Sequence, residues 1–140
     1  MNESRLLFET AILKRYFTNR FLFTDVDGEE VLLVGVKSQA GRVYQIKIEF
    51  SEMYPLEMPN AFIVYPTGLK NFKGKRLPEF SHQMHILEND SKGVQICHFL
   101  PGNWNPNQSL YKVILKIKVW IEAYEGHLKN GKPINDYLQC

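Results

Sequence analysis

One cysteine in this sequence stands where it could do chemistry. Cys97 ends the apolar run GVQIC and is followed by the turn-forming stretch HFLPGNWNP. A cysteine at the end of an extended segment, entering a loop, can be reached by a partner, whereas one deep in a strand cannot. The thiolate is the nucleophilic form of cysteine, but free cysteine is also among the most buried residue types. The pattern therefore leaves open both a nucleophile and a small core residue.

Histidines near Cys97 raise two further possibilities, a metal site and a cysteine hydrolase. His82, His85 and His98 are potential ligands, but a zinc ribbon needs paired cysteines in short knuckles, which this chain lacks. In a hydrolase His85 would be the base, since His98 and Cys97 are adjacent and point to opposite faces of an extended segment. No orienting acid is evident. We expect no metal and no cofactor.

The elements that must position Cys97 follow from hydrophobic periodicity. Residues 3–20 form an amphipathic pattern with Leu6, Leu13 and Phe17 on one helical face. A turn at Asp27-Gly28, a β-branched run and the strictly alternating segment RVYQIKIEF predict antiparallel strands, and AFIVY predicts another. The basic stretch 66–82 is expected to be a solvated loop.

A long helix is predicted after the cysteine, with Asn105 as its cap, Pro106 in its first turn and Gly131 at its end. Its apolar stripe should cover the buried face of the sheet, and comprises Leu110, Val113, Ile114, Ile117, Trp120, Ile121, Tyr124 and Leu128. The order of elements predicts an α+β domain over residues 1–140, with an N-terminal helix, a four-stranded antiparallel meander and a long C-terminal helix packed on the sheet.

Composition excludes several classes. The chain has 140 residues, a formal charge of +2 and 44% hydrophobic residues, as expected of one globular domain with no nucleic-acid partner. No apolar run approaches the ~20 residues of a membrane helix, and no signal peptide is evident, so we expect a cytoplasmic protein that does not bind membranes. Two cysteines, Cys97 and Cys140, are too few for a disulfide framework, which predicts a reduced thiol at position 97. Cys140 is either a second thiol or simply part of the chain terminus.

Four ordered motifs make the chain resemble the ubiquitin-conjugating enzyme family, and its bacterial branch in particular. A strand ending IKIEF precedes YPLEMP, which resembles the family's tyrosine-proline turn, and AFIVYP resembles the next strand. GVQIC resembles the run that ends in the active-site cysteine, and WNP resembles the segment that opens the following helix. The resemblance runs from the first helix to about Gly131. The family's His-Pro-Asn tripeptide is absent, with His85 and Asn89 standing twelve and eight residues before Cys97.

The resemblance implies a carrier mechanism. A ThiF-like activating enzyme would adenylate the C-terminal glycine of a ubiquitin-like modifier protein, and Cys97 would accept that carboxyl group as a thioester. An amine on a target protein would then attack the thioester. His85 or Asn89 would stabilise the oxyanion of this step, and Glu88 or Asp90 would accept the proton of the amine.

The resemblance also implies binding surfaces. Trp104, Asn103 and Asp90 would contact the modifier, and the first helix, with Arg5, Lys14 and Arg15 outward, would dock the activating enzyme. The bacterial branch occurs in anti-phage defence systems, which implies an immune role.

A non-catalytic binding module is the alternative of another class. RWD domains and inactive conjugating-enzyme variants share the helix, the meander and the Tyr-Pro turn but lack the cysteine. Cys97 next to Trp104 and Pro106 favours the enzyme, whereas the missing tripeptide favours the module.

Overall fold

The computed structural model of the chain describes residues 1–99 and 101–137, without the side chain of Pro101. Cys140, whose role the sequence left open, lies outside the described residues. The elements in chain order are α1 (Glu3–Phe17), β1 (Phe21–Val26), β2 (Glu29–Lys37), β3 (Val43–Glu49), β4 (Asn60–Tyr65), β5 (Ile86–Asp90), β6 (Gly93–Ile96) and α2 (Leu110–Asn130), with short 3₁₀ helices at Pro101–Asn103 and Ile134–Asp136.

The predicted α+β arrangement is confirmed, but the sheet formed by the described residues has six strands where four were predicted. The strands are all antiparallel in the order β1-β2-β3-β4-β6-β5. The extended run that ends in Cys97, which was not assigned to the sheet, forms with the residues before it the β5–β6 hairpin, and β6 pairs with β4. Strands of four and five residues are too short for a period to stand out. Their place in the sheet depends on pairing with β4, which is distant in the sequence.

The core follows the predicted periodicities. Alternate residues of the β3 segment are buried, namely Tyr44, Ile46, Ile48 and Phe50, while Val43 and Gln45 are exposed. The predicted stripe of α2 is buried, except that Leu128 is only partly so. These side chains form one core with the inward residues of β2, β4 and β6 and with Leu13 and Phe17 of α1.

Both helix boundaries differ in part from the prediction. Helix α1 ends at Phe17, before a residue with a φ of 51°. Helix α2 begins at Leu110 with Ser109 as its N-cap, because the Asn105 side chain instead accepts from the N–H of Asn107 in a separate turn. Gly131 ends α2 in the left-handed conformation, as predicted. Neither helix, within the part of the chain that the structure describes, is long and apolar enough to span a membrane.

The basic loop after β4 is packed on the C-terminal part of α2. The Tyr124 hydroxyl donates to the Lys70 carbonyl at 2.6 Å, and the Phe72 N–H donates to His127 Nε2 at 3.3 Å. The cationic side chains themselves are exposed. This agrees with the prediction of a solvated charge run.

Candidate active site

Cys97 is the first residue after β6, so the prediction that it ends an extended segment is confirmed. It is half-buried, and the structure does not seal it in the interior. It is also disulfide-bonded, so the expectation of a reduced thiol is wrong for this structure. Nucleophilic chemistry at Cys97 therefore requires reduction of that bond first.

On the β5 side, the neighbour of Cys97 is His85. Ile96, the last residue of β6, pairs with Ile86 at the start of β5, so the next pair of this antiparallel hairpin joins Cys97 and His85. The Cys97 N–H donates to the His85 carbonyl at 3.0 Å. Of the two sequence-predicted oxyanion donors, His85 is thus the one that lies beside the cysteine.

On the β4 side, the neighbour of Cys97 is Asn60, which the sequence analysis did not single out. Ile96 pairs with Ala61, and one step further the same register brings Asn60 beside Cys97. The register continues past the end of β6, because the backbone of the proline that precedes Asn60 lies close enough to the His98 ring to oppose the lowering of its pKa.

Asn60 and Cys97 also share a face of the sheet. Ala61 and Ile96 are buried in the core, with exposed fractions of 0% and 1%. Because side chains alternate along a strand, their neighbours Asn60 and Cys97 belong to the opposite face, which we call the outer face. Phe62, two residues after Asn60, belongs to the same face of β4; it is shielded from solvent but lies outside the core cluster. The alternation therefore keeps the Asn60 side chain out of the core. The Asn60 side chain is exposed and makes no hydrogen bond to any described residue.

His85 is held tightly in an unusual backbone conformation. It is buried and has a φ of 55°, and its Nε2 lies 3.0 Å from Asn135 Oδ1. Since that oxygen only accepts, Nε2 carries the proton of the neutral ring and Nδ1 carries none. Nδ1 is buried and has no hydrogen-bond partner among the described residues.

Asn89 is separated from Cys97 by the register of the hairpin. It pairs with Val94, three residues before Cys97, which corresponds to about 10 Å along the strand. Val94 is part of the core, and Asn89 is buried with its amide nitrogen donating to the Leu77 carbonyl at 2.8 Å. The structure therefore does not bring Asn89 to the cysteine, and its amide N–H already serves to fix the loop after β4.

Asp90 lies at the far end of the same hairpin. It pairs with Gly93, and its side chain accepts from the Lys92 N–H at 2.8 Å within the β5–β6 turn. Glu88 is exposed and pairs with Gln95, which is two residues from Cys97. Of these two predicted proton acceptors, Glu88 is the closer to the cysteine.

Trp104 anchors the segment after the cysteine to the Tyr-Pro turn. Its Nε1 donates to the Pro55 carbonyl at 2.8 Å, and its ring meets Phe99 edge-on at 5.5 Å. The side chain is half-buried, whereas Asn103 is exposed at the end of its 3₁₀ turn. Of Trp104 and Asn103, only Asn103 is fully exposed and so available to a partner.

The three basic residues predicted to form the docking face of α1 differ in their exposure. Lys14 and Arg15 are exposed, as expected. Arg5 is instead turned inward, with Nε 3.2 Å from Glu9 Oε2 and Nη1 2.9 Å from the Pro106 carbonyl. Arg5 holds the chain before α2, so its contribution to a partner surface is limited by these contacts.

Glu9 is the centre of a buried polar cluster that sequence reasoning missed. This residue is fully buried and accepts from the Tyr54 hydroxyl, from Arg5 and, at 3.1 Å, from the N–H of Leu110. Burial, followed by the hydrogen bond to Glu9, raises the pKa of Tyr54 above its ordinary value. A glutamate on the apolar side of α1 is the sequence signal that could have revealed the cluster, since buried charges require partners.

His98 is a second buried imidazole next to the cysteine. Burial lowers its pKa to about 4, with a smaller contribution from the nearby Lys116 ammonium, so the ring is neutral at pH 7. Its Nδ1 lies 3.4 Å from the Ile96 carbonyl, and Nε2 has no hydrogen-bond partner among residues 1–99 and 101–137. Its ring meets that of Phe99 edge-on.

A cleft of about 580 Å³ reaches Asn60 from the ends of β2 and β3. Its acidic lining comprises Asp25, Glu29, Glu30, Glu49, Glu52 and Glu57, with Lys92 as the cation. Burial raises the pKa of Glu49, opposed by Lys47 and reinforced by Glu29. Sequence reasoning missed the cleft because its acidic residues come from segments that are distant along the chain.

No three histidine, cysteine, aspartate or glutamate side chains of the described residues are grouped so that they could hold a metal ion. No protein-family model matches the chain, and no curated protein is significantly similar to it.

Proposed function

We propose that the protein is a conjugating enzyme for a ubiquitin-like modifier. In this proposal Cys97 receives the C-terminal carboxyl group of the modifier from a ThiF-like activating enzyme and holds it as a thioester. An amine of a target protein then displaces the sulfur. The reaction belongs to a bacterial anti-phage pathway in the cytoplasm, where thiol reductants would open the disulfide at Cys97.

The observation that carries the proposal is the position of Cys97 at the end of β6. It is half-exposed and stands between His85 and Asn60 in one row across the sheet. A carrier cysteine must admit the carboxyl terminus of another protein, and a strand end that opens into a loop provides that access. The fixed sheet register holds the polar neighbours in place, as preorganised catalysis requires.

The proposal assigns roles to the remaining residues. Asn103 and Trp104 contact the modifier where the chain leaves Cys97, while Asp90 would have to contact it from the far end of the hairpin. Lys14 and Arg15 dock the activating enzyme, and Arg5 supports that face from within. Glu88 lies closer to Cys97 than Asp90 and is the better candidate acceptor for the proton of the amine.

A non-catalytic protein-binding module remains the second candidate, and one observation favours it. The distance between Asn89 and Cys97 means that the resemblance to the family's upstream asparagine does not extend to its position. In a binding module the cysteine would carry nothing and the outer face would serve only as a contact surface.

Charging of Cys97 tests the proposal. We would incubate the reduced protein with the activating enzyme and ubiquitin-like protein encoded beside it, and with ATP, and analyse the products without reductant. The enzyme is expected to form an adduct that thiols remove, which is lost in Cys97→Ala and becomes a thiol-resistant oxyester in Cys97→Ser. Cys97→Ala that folds, binds the modifier and behaves like the wild type would identify a binding module.

A further inference from the structure

We infer that Asn60 is a catalytic residue that stabilises the oxyanion when the thioester on Cys97 is attacked. This inference rests on the proposed function and adds a residue of β4 to its site. The missing upstream tripeptide leaves the reaction without an evident donor. The sheet register supplies one from the opposite side of the cysteine.

Two observations independently place Asn60 beside Cys97. Before the pair, Ala61 of β4 faces Ile96 of β6, and after it, the backbone of the proline that precedes Asn60 lies close enough to the His98 ring to oppose the lowering of its pKa. Directly opposed residues of antiparallel strands have Cα atoms about 4.5–5.5 Å apart. Both side chains belong to the outer face, so they are cross-strand neighbours at the distance where such pairs interact.

Asn60 is also chemically able to do this work. Its amide group offers two N–H donors, and the side chain makes no hydrogen bond to a described residue. By contrast, Asn89 donates to the Leu77 carbonyl, and His85 has its ring proton on Nε2, bonded to Asn135. Of the three candidates, only Asn60 has an uncommitted donor on the face that carries the cysteine.

The step requires such a donor. The amine nitrogen attacks the thioester carbonyl carbon and forms the C–N bond, while the π electron pair moves onto the carbonyl oxygen. When that pair returns, the C–S bond breaks, the sulfur leaves with its electron pair as the Cys97 thiolate, and the amine loses a proton to a base, for which Glu88 is the candidate of the proposed function. Negative charge on the oxygen exists only between these events, so a donor aimed at it accelerates the reaction without being needed for binding.

The test uses a peptide ending in Gly-Gly, supplied as its mercaptoethanesulfonate thioester, to load reduced Cys97 by thiol exchange. After the excess thioester is removed, free lysine is added and the loaded protein is followed by intact mass spectrometry. We expect Asn60→Asp, which keeps the shape but loses the donors, to discharge about 100-fold more slowly than the wild type. Asn60→Gln, which keeps a donor, is expected to recover part of the rate.

Asn19→Asp is the matched control, since Asn19 is exposed in the turn before β1, and three strands lie between β1 and β6. It should discharge at the wild-type rate, and both variants should unfold at the wild-type urea midpoint, because a merely structural role would move that midpoint. Discharge of Asn60→Asp within twofold of the wild type overturns the assignment of Asn60 alone. A reduced wild type that takes no peptide, like Cys97→Ala, overturns the proposed function itself.

Discussion

Two buried polar clusters, one at each end of the chain segment between Cys97 and Leu110, differ in how far their polar atoms are satisfied. Around Glu9 both carboxylate oxygens are bonded, to Tyr54, to Arg5 and to the first N–H of α2. Around Cys97 the two imidazoles are just as buried, yet each keeps a nitrogen without a partner among the described residues.

This difference assigns a stabilising role to the cluster around Glu9 and a chemical role to the cluster around Cys97. A satisfied buried network joins elements and costs much to break, so the cluster at Glu9 ties α1 and the Tyr54 turn to the start of α2. A buried polar atom without a partner reduces stability, and such atoms in native proteins call for a reason. In this protein they lie next to Cys97, the candidate nucleophile, which is where such a cost is expected to be tolerated.

Breaking the first cluster should have the largest effect. Glu9→Ala leaves the Arg5 guanidinium, the Tyr54 hydroxyl and the Leu110 N–H without their common acceptor. We expect it to lower the free energy of unfolding by about 3–5 kcal/mol, the range for breaking a buried pair, measured by urea denaturation. Glu3→Ala, in the exposed first turn of the same helix, should change it by less than about 0.5 kcal/mol. Equal losses from the two substitutions would contradict the role of Glu9.

The free energy of unfolding should depend on pH through His98 in the second cluster, around Cys97. The pKa of His98 is about 4 in the folded protein and 6.5 when unperturbed. Above pH 6.5 neither state is protonated, and between pH 6.5 and 4 only the unfolded state takes up the proton, so stability falls as the pH falls. One pKa unit corresponds to about 1.4 kcal/mol, so the loss approaches about 3 kcal/mol near pH 4.

His98→Leu isolates that contribution from the carboxylates that titrate in the same range. Its free energy of unfolding, measured in urea at pH 7 and pH 4, should fall by about 3 kcal/mol less than that of the wild type. An identical pH dependence in the two proteins would mean that His98 takes up its proton in the folded state as readily as in the unfolded state.

The two clusters also differ in how far the sequence revealed them. Cys97 was found because its surroundings are local in sequence, an apolar run followed by a proline-rich turn. The core stripe of α2 and the alternation of β3 were likewise readable, since periodicity is a local property. Glu9, by contrast, was not singled out from the sequence, because two of its partners stand 45 and 101 residues away.

Asn60 shows the same limit at the site itself. Nothing in YPLEMPN distinguishes its asparagine from a turn residue. Its nearness to Cys97 exists only once β6 pairs with β4, and that pairing was not predicted because the extended run ending in Cys97 was not assigned to the sheet. A sequence pattern identifies the reactive residue, but the sheet register decides which side chains stand beside it.

The smallest effect on stability is expected from charge reversal on the outer side of α1. Lys14→Glu combined with Arg15→Glu alters two exposed side chains, so the free energy of unfolding should change by less than about 0.5 kcal/mol. If this face docks the activating enzyme, the charging rate of Cys97 should fall about tenfold at low salt and recover at high salt, as steering by exposed charges does. Arg5→Ala is the contrasting variant, because Arg5 belongs to the Glu9 cluster and should lower stability at every salt concentration. If the reversed variant is charged at the wild-type rate, α1 does not dock the activating enzyme. Its role is then only the structural one of Glu9 and Arg5.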